Sequence, residues 1–478
     1  MTMRLITLLL PLALVAVLLS APAQARGLEQ IRYELFKNPQ ADVEADLRRL
    51  VARGDRAAMH LLGDVLAAAE ISAHRETISL YGAAFAHGQG EIPALASLAR
   101  LMERYPFRRD QYRPYFRQAL QLYPHSRDRQ TLATTLEVFL TYPELFDAAD
   151  AERLIELHQR ACLIDCATEL YWAVLAERQG DMQTADSRYR AAMLTDARAV
   201  ERYYSFLGDQ QDLLFPQVAS QLESRLDEIT ADAANRVSMV LDRISDLYRI
   251  DEQMIERQQR EQAELQGIEL APKPVGFVAE SQRLRNQALR WAEHSAARNW
   301  LPALVSRFYF MTSMPDNYSG AEAMELIERI RLQDPVRARE LQASALMVTN
   351  WNTLNPGKAH ELIQGLIAEG SAEGTMLLGD LYSRGGLDEP DQDKALAVYQ
   401  QMAERGSAAA YYRQASLFTS GRAICHDHAR AYAYAMVAVD FGIVRARGLM
   451  RQLESQLDDA DKSRALALRD TIIREFGI

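Results

Sequence analysis

This 478-residue chain has little sheet chemistry and no ready-made catalytic motif. Val, Ile and Thr are sparse beyond the N-terminus, while Ala, Leu, Arg, Glu and Gln abound, a mix that suits helices and argues against strands. No glycine-rich phosphate loop, nucleophile elbow or cysteine pair of zinc spacing occurs; the stretch GQGEIP near Gly88 reads as a helix stop. Basic excess is missing too. The formal charge is -11, so the chain is not expected to track a nucleic-acid backbone. Long apolar runs are absent after residue 25, so a soluble mature protein is expected.

Cysteine is scarce: Cys162, Cys166 and Cys425 are the only three. Cys162 and Cys166 stand one helical turn apart in RACLIDCATEL, with Cα atoms expected about 6 Å apart. In an oxidising compartment they are read as a disulfide, with two buried free thiols as the other reading.

That compartment is suggested by the first 25 residues. Arg4 is followed by an apolar run, Leu5 to Leu19, containing Pro11, and then by Ala23-Gln24-Ala25. The run is shorter than the roughly 20 residues of a spanning helix and the ending is a small-x-small cleavage site, so residues 1–25 read as a cleaved secretory signal. Losing Arg4 takes the charge from -11 to -12. Ala25 is followed by Arg26, not cysteine, so no lipid anchor is expected at this end.

With 48% apolar residues a sizeable core is available, and its organisation is periodic. Gly370, Gly406 and Gly442 are 36 residues apart. Laid over each other, the two intervals match Leu381-Tyr382 with Leu417-Phe418, Gly385 with Gly421, Asp391 with Asp427, and Lys394-Ala395 with Arg430-Ala431. A third copy opens at Gly54, where GDRAAMHLLGDVL, including Gly63, parallels GSAEGTMLLGDLY, including Gly379. Each unit predicts a helix of about a dozen residues, a loop, and a second helix ending at a glycine that accepts a left-handed C-cap. One such pair cannot bury its apolar face alone, so stacked pairs are expected to form a solenoid.

The pattern resembles the Sel1-like repeat, a tetratricopeptide relative, with Leu378, Gly379, Tyr382 and Gly385 in register. The resemblance implies an all-α fold, a right-handed superhelix of helical hairpins. It also bears on the segment Cys425-His426-Asp427-His428, which has the look of a metal site. Asp427 takes the repeat's Asp position, while Cys425, His426 and His428 fall on positions the pattern leaves free. A zinc site needs three or four converging ligands, and the nearest upstream histidine, His360, is 66 residues before His426. No metal, cofactor or catalytic residue is assigned.

Between the clear repeats, further hairpins are expected, including one with Trp291 and Ala292 on its second helix and Pro302 opening the next. Residues 26–250 read as degenerate hairpins and 285–442 as Sel1-like repeats. The polar, Gln- and Glu-rich 251–284, with Pro272 and Pro274, reads as an exposed helix and connector, or a partner-binding insertion. Residues 443–478 resemble the two-helix cap that follows such arrays.

As a whole the layout resembles the periplasmic scaffold family of bacterial alginate production and export, carried by RFYFMTSMPDNYSGAEAMELIERI, TMLLGDLYSRGGLDEPDQDKALAVY, SGRAICHDHARAYAYAMVAV and LMRQLESQLDDADKSRALAL. Members of that family are typically lipoproteins, from which this chain departs. The resemblance implies a non-catalytic periplasmic scaffold whose partners are an outer-membrane export pore and periplasmic polymer-modifying proteins, with weak or no direct polysaccharide binding. The contact surface is expected on residues 340–475, with Tyr411 and Tyr412 as exposed anchors. Two other readings stand beside it. One is a polysaccharide lyase or hydrolase on an α/α toroid, for which NWNTLNPGKAH and CHDHARAYAY supply suitable residue types. The other is a general adaptor in envelope signalling.

Overall fold

The computed structural model describes residues 26–37, 41–68, 74–85, 91–104, 109–120, 128–161, 167–269, 276–385, 387–420 and 427–475. The proposed signal segment, the Cys162–Cys166 pair, Gly421, Cys425 and His426 lie outside them. Among the described residues there are 24 α-helices and no strand. The fold is an all-α array of helical hairpins, as the composition predicts.

The hairpins follow from local chemistry. In the clearest unit the first helix, Ala372–Arg384, is followed by a loop and a second helix, Gln392–Glu404. Ser371 caps the first helix by accepting from the Gly374 amide at 2.8 Å, and Asp391 caps the second by accepting from the Lys394 amide at 2.9 Å. Each cap satisfies an amide that helix geometry leaves without a partner. The same device recurs with Asn355 onto Lys358 and Asp427 onto Arg430, each at 3.0 Å. The loop aspartate of the repeat is therefore the N-cap of the second helix. Gly370 and Gly406 close their hairpins at φ +88° and +91°, where a Cβ is disfavoured.

The chain divides into two units, one up to Leu98 and one from Ala99 onward. The first holds Leu28–Lys37, Glu44–Val51, the hairpin Arg56–Ala68 with His74–Phe85, and the start of Pro93–Arg104. Its core gathers Ile31, Val43, Leu47, Ala58, Leu62, Leu66 and Leu80. Buried Asp46 is paired by both Arg26 and Arg49.

In the second unit each hairpin closes the core of the one before. Leu377 and Leu381 pack with Ala343 of the preceding first helix, with Leu346 and Met347 just past its end, and with Ala359 and Ile363 of its partner. At about 1.5–3 kcal/mol for each large side chain fully buried, this interface is what a lone hairpin lacks. Trp291 lies on the helix Glu280–Ala297 and is buried, and Pro302 lies at the start of Leu301–Ser313.

The boundary drawn at residue 250 is not a break. Ala231–Gln266 is one 36-residue helix. Up to Ile250 it is buried against Glu280–Ala297, with Ser238 and Ser245 donating to the Ala288 and Ser281 carbonyls at 2.8 and 2.9 Å. Beyond Ile250 the helix continues because its sequence is Gln, Glu and Arg with no breaker. It ends at Gly267, at φ +65°. Burial changes at 250; the backbone does not.

Candidate functional site

The first helices of successive hairpins lie side by side, as Pro335–Ala345 does against Ala372–Arg384. Their neighbouring faces carry a polar ladder. Arg337 donates to the Tyr309 hydroxyl at 2.7 Å and to Glu340 at 2.8 Å. Glu340 also accepts from the Ser371 hydroxyl at 2.8 Å. One hairpin further on, Tyr399 donates to Asp380 at 2.6 Å, and Arg413 donates to both oxygens of Asp380 at 2.8 and 2.9 Å. The ladder ties four consecutive hairpins together.

Asp380 is buried, so its charge needs this two-pronged partner. Burial opposes the Arg413 charge, and Asp380 outweighs it, so Arg413 stays firmly protonated. Burial also pushes up the Tyr399 hydroxyl, and Asp380 adds to that rise. Glu373 lies two turns before Asp380 on the same helix face. It is half-buried and accepts no hydrogen bond among the described residues. Burial raises its pKa; Arg337 and Arg413 oppose the rise, while Glu340 and Asp380 add to it.

The C-terminal segment reaches this face. The Arg445 guanidinium stacks 4.6 Å from the centre of the Tyr412 ring and acts electrostatically on Tyr309. Further along, Gly448 packs against Ile250, and Arg451 pairs with Asp251 at 3.0 Å. The segment thus bridges from the last repeats to the long helix. A separate recess of about 580 Å³ is lined by Glu103, Arg109, Glu144, Glu177, Arg178 and Arg202 among others. Its carboxylates are all partnered: Glu103 by Arg202, Glu144 by Arg109 and Arg113, Glu177 by the Tyr189 hydroxyl.

Of the two tyrosines expected as exposed anchors, Tyr411 is corrected by the structure. It is 6% exposed and packs edge-on to Tyr434 at 5.7 Å. Tyr412, one residue on and so about 100° round the helix, is half-buried and holds Arg445. The repeat positions take structural places. Gly63 and Gly379 lie under the rings of Tyr81 and Tyr399. Gly54 and Gly442 have φ +83° and +93°. Gly385, at φ +76°, turns the chain against Pro390. Ala395 and Ala431 are fully buried. Tyr382 supplies the carbonyl that accepts from the Asp391 amide at 2.9 Å.

Among the described residues, those weighed for a lyase take other places. Asn355 is a helix cap, Asn350 donates to Asp316 at 2.6 Å, His360 pairs with Gln364, and Tyr432 and Tyr434 pack in cores. Sequence reading missed Asp380, Arg413 and Glu373. The only signal was the pairing of Gly63-Asp64 with Gly379-Asp380 in the two aligned copies.

No family model matches the chain. A stretch of 111 residues, 23% of this chain, is 35% identical to the alginate biosynthesis protein AlgK of Azotobacter vinelandii. Over that stretch the chain resembles AlgK. It spans about a quarter, 24%, of that relative's length. Two solved structures match the chain at low identity. One is c5321, a protective antigen of uropathogenic Escherichia coli with an SLR fold (16% identity, 91% of this chain and 95% of that one, TM-score 0.26). The other is a Sel1 repeat protein from Oxalobacter formigenes (16% identity, 56% and 98%, TM-score 0.27). No described helix is long and apolar enough to cross a membrane.

Proposed function

We propose that this chain works by contact, as a non-catalytic periplasmic scaffold in exopolysaccharide synthesis and secretion, with alginate the polymer in view. In this role it links an outer-membrane export pore to proteins that modify the polymer in the periplasm. The likeness to AlgK carries the reading. The array supports it physically: hairpins locked in series by Arg337, Glu340, Ser371, Asp380 and Arg413 hold a long face in a fixed shape, which is what ordered docking of several partners requires. The negative charge of the chain, -11, disfavours a polyuronate ligand over a protein one.

Deleting the gene from its host should abolish or misdirect polymer secretion, read as extracellular uronic acid, and the full chain expressed in trans should restore it. Unchanged secretion in the deletion strain, or purified protein that shortens alginate chains, would end this reading.

A further inference from the structure

In a hairpin array each unit is held mainly by its neighbours in the chain. The helix Ala446–Glu454 goes further and returns to the long helix, 200 residues back. Two contacts make this closure. Gly448 lies against Ile250, so close that a Cβ would fall 2.8 Å from the Ile250 Cδ1, and Arg451 donates to Asp251 at 3.0 Å. The closure is a feature the sequence keeps at a cost. Glycine weakens a helix interior, yet Gly448 stands inside this one, where a side chain would have to push aside a buried isoleucine. It is also slight. Neighbouring hairpins share several large buried side chains, as Leu377 and Leu381 do with Leu346, Met347 and Ile363. The closure has Ile250 and an ion pair whose members are 43% and 50% exposed. Such a pair contributes little, and salt screens it.

We infer that the array from the long helix to the C-terminal cap is a clasp, closed by Gly448 on Ile250 and Arg451 on Asp251, which opens at this contact before any hairpin interface gives. The cap moves as one piece with the last repeat, to which Leu449, Met450 and Leu453 fasten it. The bending is shared among the hairpins between, because each is fixed only to its neighbours. Opening parts the cap from the root of the long helix and uncovers Ile250. The clasp thus sets how far apart the two ends of this stretch of the array stand, whatever partner or polymer the chain serves.

The test uses the full chain with spin labels carried on unnatural residues at Gln253 and Gln456, both exposed and one on either side of the contact. Pulsed electron resonance reads their separation. At low salt a short distance should dominate. At about 1 M salt, where charges are screened within about 3 Å, a second and longer distance should grow. Arg451→Asp and Asp251→Arg should each raise the long-distance fraction at low salt by about threefold or more, the scale of one exposed ion pair. The two changes together should restore the short distance. Gly448→Phe should make the long distance dominant and leave salt with no further effect. Circular dichroism should stay the same in the charge variants, which separates opening from unfolding. A short distance alone in every variant and at both salts would overturn the inference. So would a double charge swap that opens the array as far as either single change, or a long distance that appears only with loss of helix.

Discussion

Tyr399 lies with its ring against Gly379, so close that a Cβ there would fall 2.9 Å from the ring's Cδ1. The same pair recurs in the N-terminal unit, where Tyr81 covers Gly63 and donates to Asp64 at 2.8 Å, as Tyr399 donates to Asp380. In the last repeat both positions change together: Ala415 stands for the glycine and Ala435 for the tyrosine, both fully buried. The hairpin thus accepts a glycine under a ring or an alanine under an alanine, because close packing conserves volume across the interface.

Gly379→Leu should therefore cost about 1–3 kcal/mol, the range for overpacking a core. Thermal melts should show the loss, and Gly379→Leu combined with Tyr399→Ala should recover part of it. Additive losses in the double variant would show that the two sites do not share one space.

Asp380→Ala should be worse than Tyr399→Phe. It strands Arg413 and the Tyr399 hydroxyl at once, at about 3 kcal/mol, the low end for breaking a buried ion pair. Tyr399→Phe leaves the Asp380–Arg413 pair intact and should cost about 1 kcal/mol. Denaturant midpoints decide the order.

Acid should relieve a strain in the long helix. Burial pushes the Asp242 carboxyl up to about 6; Arg285 and Arg249 oppose the shift and Asp246 adds to it. Its Oδ1 lies 3.4 Å from the Arg285 guanidinium and accepts no hydrogen bond among the described residues. A raised folded pKa means that the folded state holds the proton more tightly than the unfolded one. Stability from this group is thus greatest below the ordinary aspartate range and is lost as pH rises through about 6. Asp242→Asn should remove that dependence. Its melting temperature relative to the unaltered chain should climb between pH 4 and 6.5 and then level off; a flat difference would refute the assignment.

Asn355→Ala should cost about 1 kcal/mol, the usual value of an N-cap, because it frees the Lys358 amide at the start of Pro356–Ala368. Asn355→Asp should be neutral or stabilising, since a carboxylate also favours the helix N-terminus. Melting curves of the two variants provide the comparison.

The helical hairpins and their order were legible in the sequence because they rest on local rules. A 36-residue spacing of glycines marks where the chain must turn with positive φ, and Asp391 and Asp427 cap helices through amides three residues away. Such contacts need no knowledge of the rest of the fold. What lay beyond reach was set by which hairpin faces which. Tyr411 and Tyr412 are chemically alike, and only the position of Tyr434 decides that the first is core. Nothing local told that the long helix would lose its neighbour after Ile250, since its buried and exposed halves are equally helical and differ only in what packs against them.

By itself, then, the sequence determined an all-α repeat array, its turns and its caps, through backbone conformations and hydrogen bonds that span a few residues. Tertiary structure alone decided the ladder. Tyr399 and Asp380 are 19 residues apart and Arg413 and Asp380 33, so their meeting depends on how helices stack.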